Sequence, residues 1–256
     1  MQPLTDLNIS NEKGVIKLLN MLIVDDDINC AKTLVSYILK NNKEIRLIDI
    51  ALDGEEALNI VKNNNVDIIL LDLKMPKVNG IEFINYLSEK NIIEEDSIIV
   101  ITGEETLLGK IIKNPLVYCY SIKPVEKQSI LSKICNLVNQ KNVIRKTNEE
   151  LDKNILKELE YLGYNLSHCG TKYLLDCIKI DYIKYDGEAE NITKQIYPII
   201  SKKYHKTNFS IKNNIIKATD YMYNECEEKK LLKYFHYIVD TKPTPKTIIK
   251  TIVRKL

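Results

Sequence analysis

Met21-Leu-Ile-Val-Asp-Asp-Asp27 is the stretch that decides the fold: a short apolar run that stops on three consecutive acids. Three later runs stop on polar residues in the same way. Asp67 to Leu71 is closed by Asp72, Ile98 to Ile101 by Thr102, and Leu116 to Ile122 by Lys123, with Pro124 behind it. Short, largely apolar runs without alternation suit strands buried on both faces. In open α/β sheets the carboxyl ends of such strands form the edge where ligands bind. All four polar positions can therefore meet at one edge.

Helical patterns fill the gaps between the runs. The spacing predicts strands at 21–24, 45–51, 67–71, 97–101 and 116–122, and helices at 28–41, 54–64, 80–90, 104–113 and 125–140. Five strand and helix pairs predict an α/β domain with a doubly wound, five-stranded parallel sheet, flavodoxin-like, over residues 21–140. Asp27 is a natural N-cap for the first helix.

The residue types at that edge indicate a chemistry. Asp25 and Asp26 beside Asp72 form an oxygen-rich, negative site suited to Mg²⁺ (or Mn²⁺), which takes one or two carboxylates and keeps several waters. With the repulsion lowered, Asp72 can act as a carboxylate nucleophile toward a phosphorylated donor. Lys123 offers a cation and Thr102 a hydroxyl to the phosphoryl oxygens, and a cis Lys123–Pro124 bond would help aim the lysine.

Beyond Gln140 the strand signal ends. Lys141 to Asn154 is polar, with little to bury, and reads as a linker that can run into the next helix. Helical periodicity then recurs at 154–162, 171–184, 191–203, 209–224, 228–238 and 245–255, broken by Gly163, Gly170, Gly187 and the Pro243-Thr-Pro245 start of the last helix. Residues 155–256 are expected to be all helical. Helix 191–203, the turn from Tyr204 to Asn208 and helix 209–224 have the proportions of a helix-turn-helix. In its second helix Ile211, Ile215, Ala218 and Met222 face the core. That leaves Ser210, Asn213, Asn214 and Lys217 outward and Lys212 on the flank, while Lys202, Lys203 and Lys206 lie at the turn, placed for DNA phosphates.

Charge divides the same way. Residues 1–140 carry 15 Lys+Arg against 20 Asp+Glu, a net of −5, and residues 141–256 carry 22 against 15, a net of +7. An acidic half joined to a basic half suits regulation in one and a polyanionic partner for the other. The six cysteines form no C-x-x-C pair, which suits a reducing cytoplasm. His168, His205 and His236 show no metal-ligand spacing. No apolar stretch reaches the ~18 residues of a membrane span, so no membrane partner is expected. Residues 1–20 read as an N-terminal extension or an upstream start, with disorder as one option.

These residues resemble two families. Residues 21–140 are similar to response-regulator receiver domains, with Asp72-Leu-Lys-Met-Pro-Lys-Val-Asn-Gly80 as the acceptor loop. The resemblance implies that Asp25 and Asp26 are the acidic pair, Asp72 the phosphoacceptor and the Lys74 backbone carbonyl a further metal ligand. It also implies that Thr102 and Tyr120 are a switch pair and that Lys123 senses the phosphate. From about Ile155 the chain resembles the effector domain of the stage 0 sporulation protein A family, in Leu156-Lys-Glu-Leu-Glu-Tyr-Leu-Gly163, Ile192-Thr-Lys-Gln-Ile-Tyr-Pro198, Lys202-Lys-Tyr204 and Lys242-Pro-Thr-Pro245.

Together these imply a phosphorylation-activated transcription regulator of a two-component or phosphorelay system, controlling sporulation or a related programme, and not an enzyme. The implied partners are a histidine kinase or phosphotransfer protein as donor, promoter DNA, RNA polymerase, and a second copy on phosphorylation. Relatives carry arginines in the recognition helix, whereas Ser210, Asn213 and Ile216 stand there in this chain and no arginine occurs from 146 to 253. Base readout then falls to Lys212, Asn213 and Lys217. The rival reading is a phosphorylation-responsive protein-interaction module with reduced or altered DNA specificity.

Overall fold

The structure is a computed structural model, and it describes residues 10, 11, 14, 15, 18–235 and 242–256. Most of the expected extension 1–20, together with His236 and the end of the helix expected at 228–238, lies outside the described residues. Ser10–Asn11 pairs antiparallel with Gly14–Val15. The chain divides into two compact units, Met1–Val143 and Ile144–Leu256.

The first unit holds five parallel strands, β1 (Leu19–Val24), β2 (Ile45–Ala51), β3 (Ile68–Leu71), β4 (Ile98–Thr102) and β5 (Val117–Ile122). Their order across the sheet is β2-β1-β3-β4-β5, the doubly wound order whose ligand crevice lies beside the first strand. β1 begins two residues before the expected Met21, because Leu19 pairs with Ile45 and is buried.

Side chains alternate between the two faces of the sheet, and each face has its own core. Leu22, Val24, Ile69, Leu71, Ile98 and Val100 pack with Ala57 and Val61 of α2 (Gly54–Asn63) and with Phe83, Ile84 and Leu87 of α3 (Gly80–Lys90). Met21, Ile23, Ile68, Leu70, Ile99 and Ile101 pack with Leu34 and Ile38 of α1 (Ile28–Asn41) and with Ile130, Ile134 and Leu137. Burial on both sides is why these runs show no alternation of polarity.

One expected helix is shorter, and one expected linker is wholly helical. The helix expected at 104–113 is helical only at α4 (Glu105–Leu108). Gly109, a poor helix former, follows it, and the next bonds are the tighter Lys110 N–H to Leu107 and Ile111 N–H to Leu108. The stretch expected as a linker, 141–154, lies inside one helix, α5 (Lys127–Tyr161). That segment contains no Gly or Pro, and the helix formers Lys, Arg and Glu fill six of its fourteen positions, so polarity marks a solvated helix rather than a break.

The second unit is helical: α6 (Cys169–Tyr185), α7 (Ile192–Gln195), α8 (Tyr197–Tyr204), α9 (Asn208–Glu225), α10 (Glu228–Phe235) and α11 (Pro245–Val253). Its core gathers Ile155, Leu159, Leu174, Ile178, Ile200, Ile211, Ile215, Met222, Ile248 and Ile252. The single helix expected at 191–203 is split into α7 and α8 because Pro198, in the first turn of α8, has no N–H to continue the ladder. α6 and α9 cross closely at Gly170, where a Cβ would stand 2.0 Å from the Asn214 carbonyl oxygen. Among the described residues no helix is long and apolar enough to cross a membrane.

Candidate functional sites

Hydrogen bonds that continue the sheet one residue past its strands fix the carboxyl edge. The Asp25 N–H donates to the Ala51 carbonyl at 3.0 Å, Asp72 N–H to Val24 at 2.8 Å and Lys123 N–H to Thr102 at 2.8 Å. The backbone thus brings Asp25, Asp72 and Lys123 to one place. Carboxylate oxygens of Asp25, Asp26 and Asp72 lie within 4.8 Å of one another.

Lys123 Nζ donates to Asp72 Oδ2 at 2.6 Å and to Asp25 Oδ2 at 2.9 Å. The second oxygens are also engaged: Asp25 Oδ1 accepts from the Asp27 N–H at 2.9 Å, and Asp72 Oδ1 from the Lys74 N–H at 3.1 Å. Asp25 and Asp72 are buried and Asp26 is exposed. Burial alone would lower the Lys123 pKa, but its hydrogen bonds to Asp72 and Asp25 outweigh that and hold it above the ordinary lysine value.

Three carboxylates against one ammonium leave an excess of negative charge in a partly dry edge, an arrangement that favours a cation. The donors are all oxygens, two fixed by the backbone and one free in solvent, and this set fits a hard divalent ion that keeps part of its water shell.

Neighbouring residues hold the edge in shape. Asp27 caps α1, accepting from the Asn29 and Cys30 N–H groups at 3.0 Å each. Gly80 opens α3 against the loop after Asp72, where a Cβ would be 2.6 Å from the Asp72 carbonyl oxygen, so only glycine fits. The Lys123–Pro124 bond is cis.

Thr102 is fully buried, and its Oγ1 accepts from the Glu104 N–H at 3.2 Å. Tyr120 pairs across the sheet with Val100, two residues short of the Thr102–Ile122 pair, and is 38% exposed. The two proposed switch residues thus sit on adjacent strands, one inside and one outside. The ion pair of Lys74 Nζ with Glu104 Oε1 at 2.8 Å beside this edge was not anticipated. Its only sequence signal is an acid two residues past Thr102.

The helical unit offers a second candidate site. His205 caps α8 in the left-handed conformation, and the Lys206 N–H returns to the Ser201 carbonyl at 3.0 Å. The Thr207 Oγ1 then accepts from the Ser210 N–H at 3.1 Å and starts α9. This tight turn joins two helices as a helix-turn-helix requires.

Lys202, Lys206, Lys212 and Lys217 are exposed, and Ser210 and Asn213 are half-buried. Two residues expected to face the duplex are engaged by α6, although Lys203 stays exposed. Lys203 Nζ pairs with Asp176 Oδ2 at 2.8 Å, since the last turn of α8 brings it over α6. Asn214 lies on the side of α9 that touches α6: its Nδ2 donates to the Ser210 carbonyl at 2.8 Å and its Oδ1 accepts from Cys169 Sγ at 3.2 Å. Position 214 is one turn from both Ile211 and Ala218 and so shares their face.

Known proteins resemble both parts. Residues 21–135 match the response regulator receiver domain, and residues 155–256 match the sporulation initiation factor Spo0A C-terminal domain. Among solved structures, the chain is similar to the receiver domain of AraT, a response regulator from Geobacillus stearothermophilus, at 27% identity and TM-score 0.46, covering 50% of this chain and 98% of that one. It is also similar to a chain of the CheX-CheY-BeF3-Mg complex from Borrelia burgdorferi, at 30% identity and TM-score 0.40, covering 46% and 88%. A third is the Francisella response regulator 1452 receiver domain, at 24% identity and TM-score 0.42, covering 48% and 98%.

Proposed function

The chain belongs to the response regulators that join a receiver to a Spo0A-type C-terminal domain, phosphorylation-activated regulators of sporulation transcription, and on that premise we propose which residues receive the phosphate and which bind DNA. The observation that carries the reading is the meeting of Asp25, Asp26, Asp72 and Lys123 at one sheet edge.

Asp72 is the acceptor. One of its carboxylate oxygens attacks the phosphorus of a phosphohistidine on a kinase or phosphotransfer protein. The P–O bond of an acyl phosphate forms, the P–N bond breaks, and the imidazole leaves with its electron pair and takes a proton. Lys123 moves from sharing a proton donor between two carboxylates to holding a phosphoryl oxygen, and Thr102 turns its hydroxyl to another. Asp25, Asp26, Asp72 and the Lys74 carbonyl would hold Mg²⁺ or Mn²⁺, which when bound supplies positive charge to the phosphoryl oxygens.

Phosphate adds roughly −1.5 to −2 charges at Asp72. Movement of Thr102 and Tyr120 toward it reshapes the face of residues 104–140, through which two copies pair. Pairing sets two helical domains on promoter DNA, where they act on RNA polymerase in the cytoplasm. The chain is a regulator and not a catalytic enzyme: the chemistry at Asp72 serves only its own phosphorylation and dephosphorylation.

Lys202 and Lys206 contact phosphates, and Lys212, Asn213 and Lys217 approach the bases; Ser210 supports the first turn. Lys203 is assigned the lesser part because Asp176 already neutralises it. Lys206→Ala is expected to weaken binding to all duplexes alike and to lower the slope of log K against log salt by about one unit. Lys217→Ala is expected to cost about 1–3 kcal/mol on the preferred sequence and to relax base preference. Titrations of both variants against preferred and scrambled duplexes across a salt series separate the two roles. Unchanged binding in both at every salt concentration would remove α9 from the groove and favour the protein-interaction reading.

A further inference from the structure

The outward face of α9 is not uniformly basic. Phe209, in the first turn, is 74% exposed. Asn213, Ile216 and Lys217 follow it at four, seven and eight residues, the spacing that stacks side chains on one face. Ile211, Ile215, Ala218 and Met222 fill the opposite face and are buried, so Phe209 cannot turn into the core. Asp220, further along the stripe, is neutralised by its ion pair with Lys242.

The stripe thus presents an aromatic ring, an amide, an aliphatic chain and the Lys217 ammonium, with Lys212 on the same helix and Lys202 and Lys206 in the segment just before it, all four lysines exposed. Among the described residues none of those four lysines has an ion-pair partner, which leaves them available to phosphates. The most exposed large apolar side chain of this helix therefore belongs to a segment that carries four exposed lysines without ion-pair partners among the described residues. That combination suits a polyanion that also presents apolar groups, and duplex DNA does so in its major groove through the thymine methyl.

We infer that α9 reads adenine–thymine pairs, with Phe209 against a thymine C5 methyl and Asn213 on the N6 and N7 edge of an adenine. This rests on the DNA-binding role proposed above. Phenylalanine makes no hydrogen bond, and the methyl of thymine is the apolar feature of the major-groove code. The donor and acceptor of an asparagine amide match adenine's acceptor and donor. The first turn of a recognition helix is the part that contacts base edges, and Phe209 stands there. Guanine readout by an arginine fork is closed to α9, which contains no arginine. Ile216 continues the apolar stripe on the side away from the first turn.

The test uses the full chain and the duplex it prefers, chosen by selection from a random pool, with thymines replaced one at a time by deoxyuridine. Loss of one methyl, about one buried carbon group, is expected to weaken binding about fourfold at one or two positions. In Phe209→Ala those positions should bind thymine and uracil equally. Phe209 is exposed, so the variant keeps its fold, and circular dichroism checks this. Asn213→Ala should lose about fivefold or more at a neighbouring adenine and accept other bases there.

Equal binding of thymine and uracil duplexes at every position by the native chain, while specific DNA binding persists, would overturn the inference and leave the DNA-binding reading standing. Absence of any duplex binding, with Phe209 required instead for capture of a protein partner, would overturn both.

Discussion

Asp72→Asn is expected to abolish acyl-phosphate labelling of the chain by a small phosphodonor in the presence of Mg²⁺. The amide matches the carboxylate in size, so the sheet edge keeps its backbone bonds, including the Asp72 N–H to Val24. What disappears is the anionic oxygen that Lys123 meets at 2.6 Å and that must attack phosphorus. Asp26→Ala isolates the metal contribution. Asp26 is exposed, so its removal should change stability by no more than about 0.5 kcal/mol. Labelling should nevertheless fall sharply, and excess chelator should reproduce the loss in the native chain. Full labelling of Asp72→Asn, read by intact mass, would transfer the acceptor role elsewhere.

The second large effect concerns stability. Asp181 is fully buried near the end of α6, and Lys250 of α11 reaches it with contacts of 2.9 and 3.1 Å to its two oxygens. The same ammonium donates to the Gly187 carbonyl at 2.7 Å, and the Ala189 N–H donates to Asp181 Oδ1 at 3.0 Å. Lys250→Ala removes the cation and leaves a buried carboxylate, a change that costs about 3–5 kcal/mol. Denaturant unfolding followed by tyrosine fluorescence reports mainly on this half, since 11 of the 15 tyrosines lie in residues 144–256. The double variant Asp181→Asn with Lys250→Ala should recover part of the loss because no buried charge remains. A loss below about 1 kcal/mol in the single variant would mean that water reaches Asp181 without the lysine.

The sheet edge was legible because its signals are local. A strand buried on both faces is an apolar run, and the residue that ends it is visible as the first polar one, so the sequence alone places Asp25, Asp72, Thr102 and Lys123 at strand ends. The cap at Asp27 was legible for the same reason. What stayed hidden depends on cross-chain geometry or on fine helix breaks. Asn214 and Lys203 have the composition of an outer face, yet α6 passes close enough at Gly170 to take up the first, and Asp176 takes up the second.

The polar segment 141–154 could be read as a linker or as the lead into a helix because solvated helices and linkers share a composition; absence of Gly and Pro was the better indicator. Pro198 inside a periodic run was the available warning that helix 191–203 would divide. Tyr120 shows the limit of strand reading: its place on β5 was clear, but whether its ring points in or out is set by packing.

In the proposed function, the phosphate on Asp72 controls duplex binding through α9. The most direct measurement is the affinity of the full chain for its selected duplex, at one fixed salt concentration, before and after treatment with a small phosphodonor and Mg²⁺. Binding is expected to tighten after treatment, by a coupling of about 1–3 kcal/mol, or roughly 5- to 150-fold, with no change in Asp72→Asn. Superimposable binding curves for a native chain shown by mass to be phosphorylated would contradict it.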